Sequence, residues 1–249
     1  MSCYKLPTEV TRAIDRVVTE VLEQAGIGGS PVDAVCVAKS LDMEVAWDDG
    51  LHGRARIVRL HQPRSAPSRS AILLKPEPRR ERRQWAVAHE IGEAVAFRIF
   101  EHLETSPGDV GDTAREQIAN LFASRLLLPS DCYLAKAEAC DWDLVELKRE
   151  FSTASHEIVA RRMLDFEPPV IVTIFDQDEI HFRGTNSWTF APPLMPMERA
   201  CQRDIHSSGQ ARCARNEHLT VQGWPVREDS WRREILRLQP RDAEGDFAL

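Results

Sequence analysis

No stretch of this 249-residue chain stays apolar for the roughly 20 residues that a membrane-spanning helix needs. The opening MSCYKLPTEVTRAIDRVV also lacks the apolar core of a secretion signal. These two absences make a cytoplasmic protein with no membrane partner the expectation. Positive charge is not in excess either, since 32 Lys and Arg face 39 Asp and Glu, giving a formal net charge of −7. Phosphate-backbone binding needs a basic face, so direct nucleic-acid binding is not the expected activity. The local run PRRERRQW at 78–85 adjoins a predicted helix and reads as a solvated face. The six cysteines include no CxxC pair, which points to reduced thiols. Cys201, His206, Cys213 and His218 have a spacing that fits no strong zinc pattern. There is no internal repeat.

What is present is a sequence of alternating periods. Apolar residues at helical spacing fill 7–26, and a short helix is expected after Ser30 as N-cap and Pro31 as first helical residue. The segments EVAWD, RARIVRL and SAILLKP are short, β-prone and separated by Gly, Pro and Ser, so they read as three strands. HQPRSAPSRS at 61–70 is the loop between two of them. Helical period returns from Arg80 to about Leu103, and again in TAREQIANLFASRLLL, which ends at Pro129. Further helices are expected at SDCYLAKAEA, DLVELKREF and SHEIVARRMLDF. Pro168 and Pro169 then mark a boundary, beyond which VIVTIFDQ and EIHFRG form a hairpin and HLTVQGW and WRREILRL are strands.

The chemistry concentrates in WAVAHEIGEAVAF, residues 85–97. Each helical residue turns about 100°, so positions four apart project from one face. His89 and Glu93 therefore point the same way, as paired metal ligands must, and Glu90 stands beside the first ligand, placed to act as a general base. On its own, HExxE is a weak pattern, because acidic residues are common on solvated helix faces. The neighbours here are apolar or small, however, and three ionisable groups in such a helix call for pairing or a metal. A third ligand is offered by EQIANLFASRLLL, where Glu116 and Asn120 share a face. Glu116 supplies a carboxylate, and Asn120 can fix the ring of His89 through its far nitrogen. The competing reading of that helix is a simple amphipathic one with Glu116 and Asn120 outward. His156 at a helix start and Tyr133 just past the second helix are further candidates for a substrate or transition-state contact, against a capping or packing role. His102 falls well off the ligand face.

Three blocks together, RRQWAVAHEIGEAV, EQIANLFASRLLLP and FSTASHEIVARRML, resemble the ImmA/IrrE family of metallopeptidases over roughly residues 30–185. The resemblance implies an α+β, zincin-like fold: an active-site helix packed on a small antiparallel or mixed sheet, further helices, and a small β-rich C-terminal region. With the boundary at Pro168 and Pro169, the metallopeptidase domain is expected over 1–166, and the hairpin and Trp-bearing segments of 167–249 read as a docking or sensing region. The resemblance assigns metal ligation to His89, Glu93 and Glu116, catalysis to Glu90, and a substrate contact or structural ion pair to Arg162. The implied cofactor is zinc and the implied partner a protein substrate, typically a helix-turn-helix transcriptional repressor of a stress or mobile-element response.

The family motif has His where this chain has Glu93. One His with two Glu neutralises a dication, which weakens it as a Lewis acid and suits Mn²⁺ or Fe²⁺ better than a nitrogen-rich set does. The outcomes open at this point are a metal-dependent endopeptidase, or a weakly active or inactive relative that works as a regulatory protein-binding module. Exposed tryptophans in NSWTF, QGWPV and DSWRREILRL favour docking, and buried ones a simple core.

Overall fold

Helix α1 (Thr8–Gln24) opens the computed structural model, which describes residues 8–60, 69–187, 190–228 and 231–241. It buries Ile14, Val17, Val18 and Val21 along one stripe, as its spacing predicts. Helix α2 (Ala34–Ser40) starts later than the sequence suggests. Asp33 is the cap, its carboxylate accepting from the N–H groups of Val35 (2.9 Å) and Cys36 (3.4 Å). Ser30 instead donates its hydroxyl to Glu150. Burial pushes the Asp33 carboxyl up, but hydrogen bonds from Gln84, Val35 and Cys36 and the nearby Arg80 outweigh it and hold the group below its ordinary range.

Strands β1 (Met43–Trp47), β2 (Ala55–Leu60) and β3 (Arg69–Leu74) form a mixed sheet in the order β1-β3-β2. β3 is central, parallel to β1 and antiparallel to β2, and carries the buried Ala71, Ile72 and Leu74. β2 is therefore an edge strand. Helix α3 (Arg80–His102) packs on this sheet, and α4 (Asp112–Leu127) packs along α3. Helix α5 (Ser130–Ala139) has the bounds expected from SDCYLAKAEA. The basic run at the start of α3 is an exposed face with acidic partners: Arg80 lies 3.6 Å from Asp33 and Arg82 3.4 Å from Glu77.

The chain forms two compact units that do not follow chain order. One holds the described residues up to Lys136 together with Arg149–Ser155; the other holds Ala137–Lys148 and the chain from His156 onward. Helix α6 (Leu144–Glu150) spans the return between them, and α7 (His156–Arg162) begins the rest of the second unit. That unit is built on a five-stranded antiparallel sheet in the order β5-β4-β8-β7-β6. Its strands are β4 (Ile171–Asp176), β5 (Glu179–Thr185), β6 (Arg212–Arg215), β7 (Leu219–Glu228) and β8 (Trp231–Pro240), and α8 (Pro196–Ser208) packs on one face. Cys201 and Ile205 of α8 meet Val221, Leu236 and Leu238 there. Burial in this layer pushes the Cys201 thiol up to about 11, which keeps it protonated.

Helix α8 and strand β6 escape the periodicity reading. α8 does carry start and stop signals, with Pro196 in its first turn, Glu198 reaching back to the N–H of Met195, and Gly209 at φ +66 past its end. β6 is the four residues RCAR, too short and polar to show alternation. Most of the expected 61–70 loop, Trp188 of NSWTF and the chain end lie outside the described residues. Of the other two tryptophans, Trp224 is core, donating its ring N–H to Asp143 at 3.1 Å, and Trp231 is exposed.

Candidate metal centre

The site forms where α3 and α4 come unusually close. A Cβ added to Gly92 would stand 3.0 Å from the ring of Phe122, 3.1 Å from the carbonyl oxygen of Ala119 and 3.2 Å from its Cα. Gly92, Ala119 and Ala123 thus remove the side-chain bulk that normally separates two helices. The approach carries Glu116 of α4 to the face of α3 that bears His89 and Glu93.

His89 Nε2 lies 3.5 Å from a carboxylate oxygen of Glu93 and 3.6 Å from one of Glu116. One ligand atom from each of the three residues lies within 4.8 Å of the other two, and this is the group of three acidic, His or Cys side chains with metal-site spacing among the described residues. Donors each 2.0–2.2 Å from a tetrahedral ion are about 3.4 Å apart. The two His89 distances match that edge, so the residues fit a divalent ion. His89 is mostly buried, and Glu93 and Glu116 remain 46% and 58% exposed, leaving the carboxylate side of the cluster open.

Asn120 does more than the sequence reading gives it. His89 Nδ1 lies 3.2 Å from Asn120 Oδ1, an oxygen that only accepts, so Nδ1 carries a proton and Nε2 is the ring nitrogen that faces the carboxylates. The amide nitrogen of Asn120 donates to Glu116 at 3.1 Å. One side chain therefore orients two of the three candidate ligands.

Glu90 is tied to the sheet. It is buried, and Oε2 accepts the N–H of Ile57 on edge strand β2 at 2.7 Å. Burial, and then the charge of Glu93, push its carboxyl up; the Ile57 hydrogen bond and His89 pull only partly against them. A carboxyl with raised proton affinity beside an open cluster is suited to taking up and returning a proton.

The remaining candidates have contacts of their own. Arg162 is buried in the second unit, where it pairs with Asp165 and lies over the ring of Phe166 at 4.9 Å. Tyr133 is wholly buried, its ring 5.4 Å from that of Phe151. Arg162 thus makes the structural ion pair that the sequence reading set beside a substrate contact, and Tyr133 packs against a ring. His156 is half-buried at the start of α7. His102 pairs with Glu20 at 3.4 Å, away from the ligand face. Two features went unread in the sequence. Gly92 was visible as a glycine inside a helical pattern, a common mark of close packing. The bond between Ile57 and Glu90 had no signal at all, because it spans 33 positions.

Residues 44–164 match the family Peptidase_M78, described as an IrrE N-terminal-like domain. The chain carries an IrrE N-terminal-like domain. The matched span holds β1 through α7 and every candidate ligand, in agreement with the ImmA/IrrE resemblance of the three sequence blocks. A metallopeptidase family of this kind implies a metal cofactor, and the α+β architecture with its small mixed sheet is the zincin-like one expected. Among solved structures, the chain is similar to a Mycobacterium tuberculosis transcriptional regulator at 16% identity and a TM-score of 0.65. The match covers 91% of this chain and 75% of that one, and it establishes a shared fold. No curated protein matches the chain. No helix among the described residues is long and apolar enough to cross a membrane.

Proposed function

We propose that this IrrE-like protein is a metal-dependent endopeptidase that cleaves a protein substrate in the cytoplasm, with residues 1–166 as its metallopeptidase domain. The observation that carries the reading is the convergence of His89, Glu93 and Glu116 at ligand spacing beside a buried Glu90. His89, Glu93 and Glu116 would hold the ion, zinc by family and Mn²⁺ or Fe²⁺ by the hardness of two carboxylates. When bound, such an ion supplies Lewis acidity toward a carbonyl oxygen and makes water a better nucleophile. Glu90 takes the proton of the attacking water on its carboxylate and passes it to the leaving amine. Asn120 keeps the His89 ring in one tautomer throughout. An extended substrate segment adds as a strand along β2, an edge strand on which the N–H of Ile57 is taken up by Glu90.

The substrate class follows from the resemblance: a helix-turn-helix transcriptional repressor of a stress or mobile-element response. The regulator named in the structural match is in keeping with a role in transcription control. Residues 167–249 serve docking or sensing in this reading. A second reading, a weakly active or inactive domain that binds a regulatory protein, is favoured by Glu93 alone, since its charge lowers the Lewis acidity that the site can exert. Glu90→Gln separates the two. On the endopeptidase reading the variant binds the ion as wild type does and loses cleavage of the repressor. Equal cleavage by both removes Glu90 from the mechanism, and no cleavage by either leaves the binding module.

A further inference from the structure

The second unit contains a polar cavity of about 220 Å³ that has no part in the metal centre. Its floor follows from strand alternation. Val221, Leu236 and Leu238 face α8, so the residues between them, Thr220, Gln222, Arg237 and Gln239, face the other side. Gln222 pairs with Arg237 and Thr220 with Gln239 across β7 and β8, which sets four polar side chains in a block, and Arg215 of β6 joins the second row opposite Thr220.

That block is organised rather than merely solvated. Arg237 is 2% exposed, lies over the ring of Trp142 at 4.9 Å and donates to Gln222 Oε1 at 3.0 Å. Gln222 is fixed in turn by donating to the carbonyl oxygen of Asp141 at 2.8 Å. Asp141 and Trp142 both adopt positive φ, 50° and 59°, a conformation that bulky residues rarely take and that here sets the indole under the guanidinium. At the rim, Arg241 donates to the carbonyl oxygen of Asn216 at 2.8 Å, and Arg215 makes a loose 3.6 Å pair with Asp141. The lining therefore carries three guanidiniums (Arg215, Arg237, Arg241) and one carboxylate (Asp141), a formal excess of 3 − 1 = 2 positive charges in a chain of net −7.

We infer that this cavity binds a small oxyanion, a phosphate- or dicarboxylate-bearing molecule. Guanidinium forks match both groups in geometry as well as charge, and the hydroxyl of Thr220 and the amides of Gln222 and Gln239 add neutral donors. The volume falls below the roughly 300 Å³ at which drug-sized sites begin, so the ligand is small. The inference concerns anion binding by the C-terminal unit, and it stands whether or not the metal centre is catalytic.

Isothermal titration of the full chain with inorganic phosphate, and separately with succinate, at an ionic strength held constant with chloride, tests the inference. Saturable binding of at least one probe is expected. The Arg215→Gln/Arg241→Gln double variant, altered only at exposed positions, should bind that probe at least about tenfold more weakly. Glu116→Gln should bind it as wild type does, which keeps the result separate from the metal centre. No saturable binding of either probe overturns the inference, as does equal affinity in wild type and the double variant.

Discussion

In the C-terminal unit Glu198 is wholly buried, and its two oxygens meet the guanidinium of Arg183 at 2.7 and 2.9 Å. In the N-terminal unit Glu93 and Glu116 stay about half exposed, and among the described residues their recorded ion-pair partner is the imidazole of His89. The contrast recurs elsewhere in the second unit. Asp176 receives Arg233 at 2.5 and 2.8 Å, the same Arg233 reaches Glu157 at 2.8 Å, and the buried Glu234 accepts from His206 and Arg227. Carboxylates whose two oxygens are both met by a guanidinium, as in Glu198 and Asp176, are compensated and hold a fold together. Half-exposed carboxylates that converge on one imidazole nitrogen, with no guanidinium among the described residues between them, still have charge to offer a cation.

Removing one carboxylate from each region should break the comparison most visibly. Glu198→Ala leaves Arg183 with an uncompensated charge in a closed site and should lower stability by about 3–5 kcal/mol. In ion-free protein, Glu116→Ala should change stability by no more than about 0.5 kcal/mol, as expected for an exposed side chain. Denaturant melts of both variants give the answer, and comparable losses would put Glu116 among the structural acids.

A smaller effect sharpens the account of how the open cluster is assembled. Gly92→Ala forces a methyl against Phe122 and the backbone of Ala119, so α3 and α4 must separate. The expected loss is about 1–3 kcal/mol, together with weaker ion binding as Glu116 is carried away from His89. Unchanged ion affinity in a folded Gly92→Ala protein would show that helix spacing does not set the site.

Much of this contrast was legible in the sequence, and the rest was hidden for a physical reason. His89, Glu93, Glu116 and Asn120 could be placed because helical spacing is local: residues four apart share a face whatever the tertiary structure. The bounds of α3 to α5 followed from the same periodicity and from Pro129. Pairing across long separations has no such signature. Nothing in the letters distinguishes Glu198, which Arg183 neutralises, from Glu116, which among the described residues pairs with the imidazole of His89. Arg162 shows the same limit, since its position in a family block says nothing about its burial beside Asp165 and Phe166. The cap of α2 was misplaced because Ser30 and Asp33 are both good caps, and only the fold sends the Ser30 hydroxyl to Glu150.

A further, modest effect comes from pH. Burial pushes the Asp176 carboxyl up, but hydrogen bonds and charge from Arg233 outweigh it and hold the group below its ordinary range. A folded-state pKa lowered in this way adds stability above the unfolded value of about 3.9, and that stability is lost as pH falls through the folded value. Asp176→Asn should therefore be less stable than wild type by about 1 kcal/mol at pH 6. The gap should close as pH falls through the folded-state value, where the wild-type carboxyl loses its charge. A gap that persists in acid would mean that packing, not charge, is what the substitution disturbs.

The central claim is most directly tested by counting metal. Wild-type protein purified without chelator or histidine tag, together with His89→Ala and Glu116→Gln, is measured by elemental analysis against protein concentration. The account predicts one divalent ion per chain in wild type and its loss in both variants, with the fold retained. A metal-free wild type after incubation with Zn²⁺, Mn²⁺ or Fe²⁺, or an ion held equally by all three proteins, would contradict it.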